Sequence, residues 1–198
     1  MSKRYHVMLD VDGVLADYTS SVVAWVNAKC DTAYTVKDVT GWDILKALNV
    51  PESVQQQFWD EITTAPDWCY NLKPYPWAKT LVQVLGSHPN VGELTICTSP
   101  MSGKHWAGER LQWLYDYLRI PLTRVVLASN KAKHVQGDVL VDDSPKHVNA
   151  WASQPGRHSI LWRMPWNQDE ELQPNVYSAN NLDMLCEQLE SLARRERP

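Results

Sequence analysis

Two acidic residues follow the first apolar run of the chain at a spacing that suits paired carboxylate chemistry. Asp10 and Asp12 come directly after Tyr5–Leu9, a run short and apolar enough to be a buried strand. Residues i and i+2 at a strand end point the same way, so both carboxylates are expected above one sheet edge, and Gly13 then allows a sharp turn. One carboxylate can attack a substrate or bind a cation while its neighbour moves a proton.

A calcium-binding loop is the main alternative interpretation of this acidic string. That motif needs oxygen ligands at positions 1, 3, 5 and 12 and glycine at position 6. Counted from Asp10, glycine is fourth and Val14 is fifth, so the calcium interpretation fails. Taken alone, the two aspartates could still be turn or capping residues.

Polar side chains also follow three later apolar runs that read as buried strands. They are Asp142 and Asp143 after Val139–Val141, Thr98 and Ser99 after Leu94–Cys97, and Lys131 and Lys133 after Arg124–Leu127. The carboxyl ends of parallel strands share one edge, where such sheets bind ligands. Several carboxylates at that edge repel one another, and a divalent cation relieves the repulsion.

Together these segments resemble the four motifs of the haloacid dehalogenase superfamily of aspartyl-phosphate phosphatases. Within it the chain is similar to the 5'(3')-deoxyribonucleotidases of bacteria and phages. The similar segments are Asp-Val-Asp-Gly-Val-Leu-Ala-Asp-Tyr, Ile-Cys-Thr-Ser-Pro, Val-Asp-Asp-Ser-Pro and Ile-Leu-Trp-Arg-Met-Pro-Trp-Asn. One departure is the lysine motif, because neither Lys131 nor Lys133 has the usual spacing from Asp142 without a one-residue shift.

The resemblance implies that the acidic residues cleave a phosphate monoester. Asp10 is expected to be the nucleophile that forms an aspartyl-phosphate. Asp12 is expected to protonate the leaving oxygen and then to accept a proton from the hydrolytic water. Mg²⁺ would bind Asp10, the backbone carbonyl of Asp12, and Asp142, with Asp143 reaching it through water.

Hydroxyl and lysine side chains are expected to hold the phosphate oxygens. Thr98, Ser99 and Lys131 are assigned this role, and Lys131 is preferred to the alternative Lys133 because it lies nearer the strand end. The structural alternatives are a helix N-cap for Thr98 and Ser99, a cap for Asp143, and solvated loop charges for the lysines.

Helical patterns alternate with the short apolar runs, which predicts a doubly wound parallel α/β sheet like that of the superfamily. The further predicted elements are a strand at Ser159–Trp162 and helices at Trp77–Leu85, Trp106–Leu118 and Leu182–Leu192. The first crossover is about 60 residues long, far more than one helix needs. We interpret residues 17–76 as a small helical cap with pieces at Ser20–Asn27, Val36–Leu48 and Glu52–Ile62, and residues 1–16 and 77–198 as the core domain.

Aromatic side chains of the cap are candidates for the pocket of the nucleobase. Tyr18 and Trp68 are expected to contact substrate, because bases stack on aromatic rings. Trp59 and Tyr70 also belong to the cap and are candidates for the same pocket, but for Trp59 a packing role beside Phe58 is favoured.

Composition restricts the class of protein and its partners. The chain has 198 residues and a net charge of -4, which disfavours binding to a nucleic acid duplex and leaves a small-molecule substrate. Its four cysteines form no metal-binding or disulfide pattern. The first apolar run is too short for a signal peptide, and no run reaches the length of a membrane span, so a cytoplasmic location is expected. A homodimer is left open.

The preferred function is a Mg²⁺-dependent phosphatase of deoxynucleoside monophosphates. A sugar phosphate or another small phosphoester is the second substrate class, because a fold does not fix a substrate. A non-catalytic phosphate-binding module is a third alternative, but it has no need of both Asp10 and Asp12. Dehalogenation is disfavoured because a halide leaves without protonation.

Overall fold

The computed structural model describes residues 3–195, whose strands form one sheet. The strands are β1 (Tyr5–Leu9), β2 (Val91–Thr98), β3 (Val125–Leu127), β4 (Val139–Asp142), β5 (His158–Trp162) and β6 (Val176–Ala179). All neighbouring pairs are parallel, in the order β3-β2-β1-β4-β5-β6. This arrangement confirms the predicted doubly wound fold. The strand order reverses between β1 and β4, which is where such sheets form a crevice for ligands.

Helices of the core cover both faces of the sheet, and further helices lie in the long first crossover. The helices are α1 (Tyr18–Cys30), α2 (Ile44–Ala47), α3 (Glu52–Thr64), α4 (Ala78–Ser87), α5 (Trp106–Leu118), α6 (Lys131–His134), α7 (Pro145–Ala152) and α8 (Leu182–Arg195). The central strands are apolar throughout because both of their faces are buried. Val7 and Leu9 pack into the main core with residues of α4, α5 and α8, whereas Met8 packs on the opposite face against Trp151 of α7.

The chain leaves the core and returns to it, at the two ends of the long first crossover, in adjacent segments. The backbone N–H of Asp17 donates to the carbonyl of Lys73 at 2.8 Å, and that of Tyr75 donates to Leu15 at 2.8 Å. These bonds hold together the two ends of segment 17–76, which contains α1, α2 and α3. The inserted segment therefore does not disturb the pairing of β1 with its neighbouring strands or the loop that follows β1.

Three elements illustrate how the structure differs from the sequence-based expectations. The helical piece predicted at Val36–Leu48 is wrong as a continuous helix, because a 3-10 turn at Val36–Asp38 is separated from α2, which Asp43 caps by accepting from the Lys46 N–H. The strand expected from Arg124 begins one residue later, at the start of β3. β6 is not predicted from the sequence, since it is four residues long and half-buried at its centre.

Candidate active site

A cavity of about 390 Å³ opens above the carboxyl ends of β1, β2 and β4. This volume lies within the usual range for small-molecule sites, roughly 300–1,000 Å³. Its polar floor consists of side chains that follow these strands: Asp10, Asp12, Thr98, Ser99, Asp143 and His147. Its walls come largely from the inserted segment. The strand ends and the insertion are therefore parts of one site.

The loop after β1 is held in a single compact turn. Its centre is Gly13, whose φ of +78° lies in the region that favours glycine. A Cβ atom at this position would stand 1.9 Å from Oδ2 of Asp143, so glycine is also required by the close approach of the fourth strand end. The Trp77 indole N–H donates to the carbonyl of Val14 at 3.0 Å and fixes the far side of the loop.

Lys131 joins the carboxylates of two neighbouring strands. Its Nζ lies 2.6 Å from Oδ1 of Asp10 and 2.7 Å from Oδ2 of Asp142. The lysine is buried and is the first residue of α6, whose N-cap Asn130 accepts from the Lys133 N–H. His147 adds a contact of 3.1 Å between its Nδ1 and Oδ2 of Asp142. Lys133 is exposed and makes no contact with these carboxylates.

The pKa values of the carboxyl groups differ because their surroundings differ. Burial, followed by the charge of Asp142, raises the pKa of Asp10 to about 7, although Lys131 opposes the shift. Burial, with Asp142 and Asp10 adding to it, raises the pKa of Asp143 well above its usual range. Burial also opposes ionisation of Asp142, but Lys131 and His147 outweigh it and lower its pKa. The cluster therefore carries more carboxyl groups than its own cation can neutralise.

The donor set of this cluster fits a hard divalent cation. Asp10, Asp142 and Asp143 place one carboxylate oxygen each within 4.8 Å of one another. Among residues 3–195, the buried Oδ1 of Asp143 has no hydrogen-bond partner, while its Oδ2 accepts from the Trp166 indole at 2.9 Å. Buried carboxylate oxygens with unmet charge are ligands that Mg²⁺ prefers.

The hydroxyl residues after β2 do not cap a helix. Thr98 is the buried last residue of β2, and Ser99 donates from its hydroxyl to the carbonyl of Ala128 at 3.3 Å. The residue at the N-cap of α5 is His105, and the residue that caps α7 is Ser144 rather than Asp143. The capping alternatives for Thr98, Ser99 and Asp143 are thereby removed.

Asp12 has a different partner from Asp10. Its Oδ1 lies 2.5 Å from Nη2 of Arg110, a residue of α5 that is fully buried. The Asp12 side chain itself is 21% exposed and lines the cavity. The two aspartates of the motif therefore contact separate cations.

Aromatic rings form the wall opposite the acidic floor. Tyr18 lines the cavity, as do Phe58 and Trp59, and Trp59 remains 45% exposed. Trp68 does not line it. Its ring packs against Tyr18 and Trp106 with centroids at 5.6 Å and 6.0 Å.

Tyr70 also lies away from the cavity wall. Its hydroxyl donates to Oδ2 of Asp116 at 3.0 Å, and its ring lies 6.1 Å from that of Tyr117. The structure thus brings Tyr18 and Trp59 to the site and places Trp68 and Tyr70 behind it or outside it.

Several cavity residues are not identified from the sequence. Trp42, which is 53% exposed, lies in the segment wrongly predicted as a continuous helix, between the 3-10 turn and α2, and its place on the wall depends on that break. His147 and Trp166 carry no separate motif signal. Arg110 does carry one, because it is a charged residue at a core position of an amphipathic helix.

The fold is shared with solved hydrolases of the haloacid dehalogenase class. A hydrolase of this class from Deinococcus radiodurans R1, solved with bound phosphate and sodium, superposes with a TM-score of 0.58 at 12% identity and covers 98% of each chain. A haloacid dehalogenase-like hydrolase from Xanthomonas campestris gives 0.56 at 13% identity, with 99% of this chain and 96% of that chain covered.

The family can be stated more narrowly. The model for 5' nucleotidase, deoxy (pyrimidine), cytosolic type C protein matches residues 4–188, and the chain belongs to this family. The 5'(3')-deoxyribonucleotidase of Bacillus subtilis is 29% identical over 83% of this chain and 88% of its own length. The human cytosolic-type enzyme is 25% identical over 88% and 87%. The chain is a phosphatase-class hydrolase similar to the deoxyribonucleotidases.

The helices were also compared with the requirements of a membrane span. Within residues 3–195, none combines the necessary length and apolar character.

Mg²⁺ should stabilise the protein more at pH 8 than at pH 5.5. Because the pKa values of Asp10 and Asp143 are raised on folding, the folded state without metal loses stability as pH rises through about 7. A bound cation removes that penalty. At 100 times its Kd it would add about 2.7 kcal/mol, a Tm increase of roughly 5–10 °C in thermal unfolding.

Asp143→Asn is the matched variant for this measurement. The amide can still accept from Trp166 but carries no charge. We expect a higher Tm than wild type at pH 8 without metal and a much smaller Mg²⁺ shift. An equal shift in both proteins, or equal shifts at the two pH values, would contradict the metal site.

Proposed function

We propose that this protein is a Mg²⁺-dependent phosphatase that hydrolyses deoxynucleoside monophosphates through an aspartyl-phosphate. The observation that carries the proposal is that one cavity combines an acidic floor with an aromatic wall. In the floor, Asp10 contacts Lys131 and Asp12 contacts Arg110. Membership of the nucleotidase family supports the same substrate class. The two features supply the phosphate chemistry and the recognition of a base.

Asp10 is the proposed nucleophile. An oxygen of its carboxylate attacks phosphorus, the bond from phosphorus to the leaving oxygen breaks, and Asp12 transfers a proton to that oxygen. Water then attacks the phosphorus of the aspartyl-phosphate, Asp12 accepts a proton from it, and the Asp10 carboxylate is released with phosphate. This sequence divides one displacement into two and returns both side chains to their starting states.

Asp10, the backbone carbonyl of Asp12, and Asp142 would hold the cation, with Asp143 bound through water. When bound, Mg²⁺ would supply positive charge to the carboxylates and the phosphate oxygens. Burial lowers the pKa of Lys131, but the charges of Asp10 and Asp142 outweigh this effect, raise the pKa and keep the lysine protonated. Lys131 thus holds the orientation of Asp10 and remains available as a donor to a phosphate oxygen.

Thr98 and Ser99 are the proposed hydroxyl ligands of the phosphate. Both line the cavity floor beside Asp10, at the end of the strand adjacent to β1. The position of these donors beside the acidic cluster favours binding of the phosphate at this edge of the sheet.

The aromatic wall favours a nucleotide over the alternative of a sugar phosphate. Tyr18 and Trp59 present ring surfaces to the cavity, and a base can stack on a ring for roughly 1–3 kcal/mol. A sugar phosphate gains less from such a wall.

We also keep the assignment of residues 17–76 as a substrate-selecting cap on a core of 1–16 and 77–198, whose first two and last three residues lie outside the described part. A cytoplasmic location is proposed from the cytosolic type in the family's name.

Asp10→Asn should reduce phosphate release from deoxynucleoside monophosphates to below about 1% of wild type. An amide is a poor nucleophile and a weaker metal ligand. Asp60→Asn, an exposed change on α3 away from the cavity, is the control. The measurement is a phosphate-release screen over nucleotides and sugar phosphates with Mg²⁺ or EDTA. More than a few per cent residual activity in Asp10→Asn would exclude the covalent mechanism.

Lys131→Ala should lower kcat/KM by about 10- to 100-fold, because charge-assisted hydrogen bonds contribute about 1.5–3 kcal/mol. The exposed Lys133→Ala should stay within about twofold of wild type. Both variants are assayed at saturating Mg²⁺ with circular dichroism as the check on folding. A greater loss in Lys133→Ala would reverse the assignment of the phosphate lysine.

Trp59→Ala should raise KM for nucleotides by about 10-fold and leave para-nitrophenyl phosphate unaffected, because only the nucleotide has a base to stack. Tyr115→Ala, which removes a ring that is 51% exposed and outside the cavity, is the control. Equal losses on both substrates would assign Trp59 to packing.

A further inference from the structure

Arg110 occupies a core position of α5 that is otherwise apolar. The buried residues of this helix are Trp106, Arg110, Trp113, Leu114 and Leu118, which follow the spacing of one helix face. Arg110 has no exposed surface. A charge is rarely placed on the core face of a helix, because its desolvation is unfavourable unless a partner compensates for it.

Two indole rings hold the guanidinium group. The Cζ atom of Arg110 lies 5.0 Å from the ring centre of Trp106 and 5.4 Å from that of Trp113. Trp113 is itself fixed, because its indole N–H donates to the carbonyl of Leu72 at 2.6 Å. Cation-π contacts with both rings stabilise the charge and restrict the guanidinium to one position.

The helix that carries Arg110 is also tied to the returning end of the inserted segment. The carboxylate of Glu109 accepts from the backbone N–H groups of Asp67, Cys69 and Tyr70 at 2.7, 3.0 and 3.3 Å. The position of Arg110 is therefore set by the core and the insertion together.

Within residues 3–195, the salt bridge of Arg110 is with Asp12, and its Nε and Nη1 atoms have no hydrogen-bond partner. Stability alone does not account for such an arrangement. Replacing a buried ion pair with apolar side chains is often neutral or stabilising, so a helix selected only for packing would carry methionine or leucine here. The pair links a buried cation to a carboxylate that faces the cavity.

We propose that Arg110 is a positioning residue for proton transfer by Asp12. It holds Oδ1 of Asp12, so that the other oxygen is directed at the leaving group. The inference rests on the proposed function of Asp12 as the acid. When the proton passes from Asp12 to the leaving oxygen and the phosphorus-oxygen bond breaks, negative charge develops on the Asp12 carboxylate, and Arg110 stabilises it. Arg110 itself neither gains nor loses a proton.

The dependence of kcat/KM on the leaving group distinguishes a positioning role of Arg110 from a structural one. A deoxynucleoside leaves as an alkoxide and needs protonation, whereas para-nitrophenolate is stable as an anion and leaves without an acid. The ratio kcat/KM reports the steps up to formation of the phosphoenzyme, in which the leaving group departs. Loss of the positioned acid should therefore lower kcat/KM for the nucleotide and spare it for para-nitrophenyl phosphate.

Arg110→Met is the main variant, because methionine fills the space between the two indoles without a charge, and Asp12 can be hydrated from the cavity. We expect kcat/KM for deoxyuridine monophosphate to fall by about 10- to 100-fold, and that for para-nitrophenyl phosphate to stay within about threefold. Arg110→Lys keeps the charge but loses the planar group, and should lie between wild type and Arg110→Met. Thermal unfolding of each variant accompanies the kinetics.

Asp12→Asn and the double variant that combines it with Arg110→Met complete a double-mutant cycle. In the Asp12→Asn background, Arg110→Met should cause no further loss on the nucleotide, because the acid that it positions is absent. Equal losses on both substrates for Arg110→Met, or additive losses in the double variant, would overturn the positioning role. If Asp12→Asn itself loses both substrates equally, the proposed acid role of Asp12 fails instead. If Arg110→Met does not fold, the same comparison with Arg110→Lys decides the question.

Discussion

Electrostatic repulsion among buried carboxylates is the constraint on which the arrangement of the site depends. Asp10, Asp142 and Asp143 present oxygens within 4.8 Å of one another. If ionised together, each pair would repel by about 3–4 kcal/mol at an effective dielectric constant of 20. A fold can retain such a cluster only if some of its carboxyl groups are protonated or if cations are supplied to it. Lys131 supplies one cation, and the carboxylate oxygens that remain are consistent with the binding of a divalent metal.

The topology of the sheet explains why this repulsion arises at one place. β1 and β4 are neighbours although more than a hundred residues separate them in the chain, and each ends in acidic residues. The strand order reverses between them, so no crossover helix covers the edge at this point. The inserted segment then covers the edge from above. Its two ends pair with each other, which allows a second layer of structure without displacing the first acidic loop.

How far the sequence predicts the structure depends on whether the signal is local. The residues at strand ends follow from short apolar runs and from i, i+2 spacing, so Asp10, Asp12, Asp142 and Asp143 are found together as expected. Nearness to the strand end favours Lys131 over Lys133 in the sequence, and the short helix α6 adds what the sequence does not show, because it buries the first and exposes the second. The strand β6 is not marked by a continuous buried apolar run, because it is four residues long and only half-buried at its centre.

The positions of the aromatic side chains of the cap, in contrast, are not predicted by a local signal in the sequence. Whether a ring lines a cavity depends on helix rotation and on the break before α2, and neither is fixed by a local pattern. Trp59 on α3 faces the cavity although it is exposed, whereas Trp68 fills space behind Tyr18 and Phe58. Composition gives the number of aromatic rings but not the tertiary packing that divides them between wall and interior.

Arg110 shows how two carboxylates of one motif can be given different properties. Asp10 and Asp12 are two residues apart, yet Asp10 contacts a lysine from α6 and Asp12 an arginine from α5. The surroundings also differ, because Asp10 is buried beside other acids while Asp12 faces the cavity. An attacking group and a proton donor need such separate environments, since a single shared partner would couple their charges. The sequence predicts both acids at one edge of the sheet. Their tertiary contacts, with α6 for Asp10 and with α5 for Asp12, distinguish them.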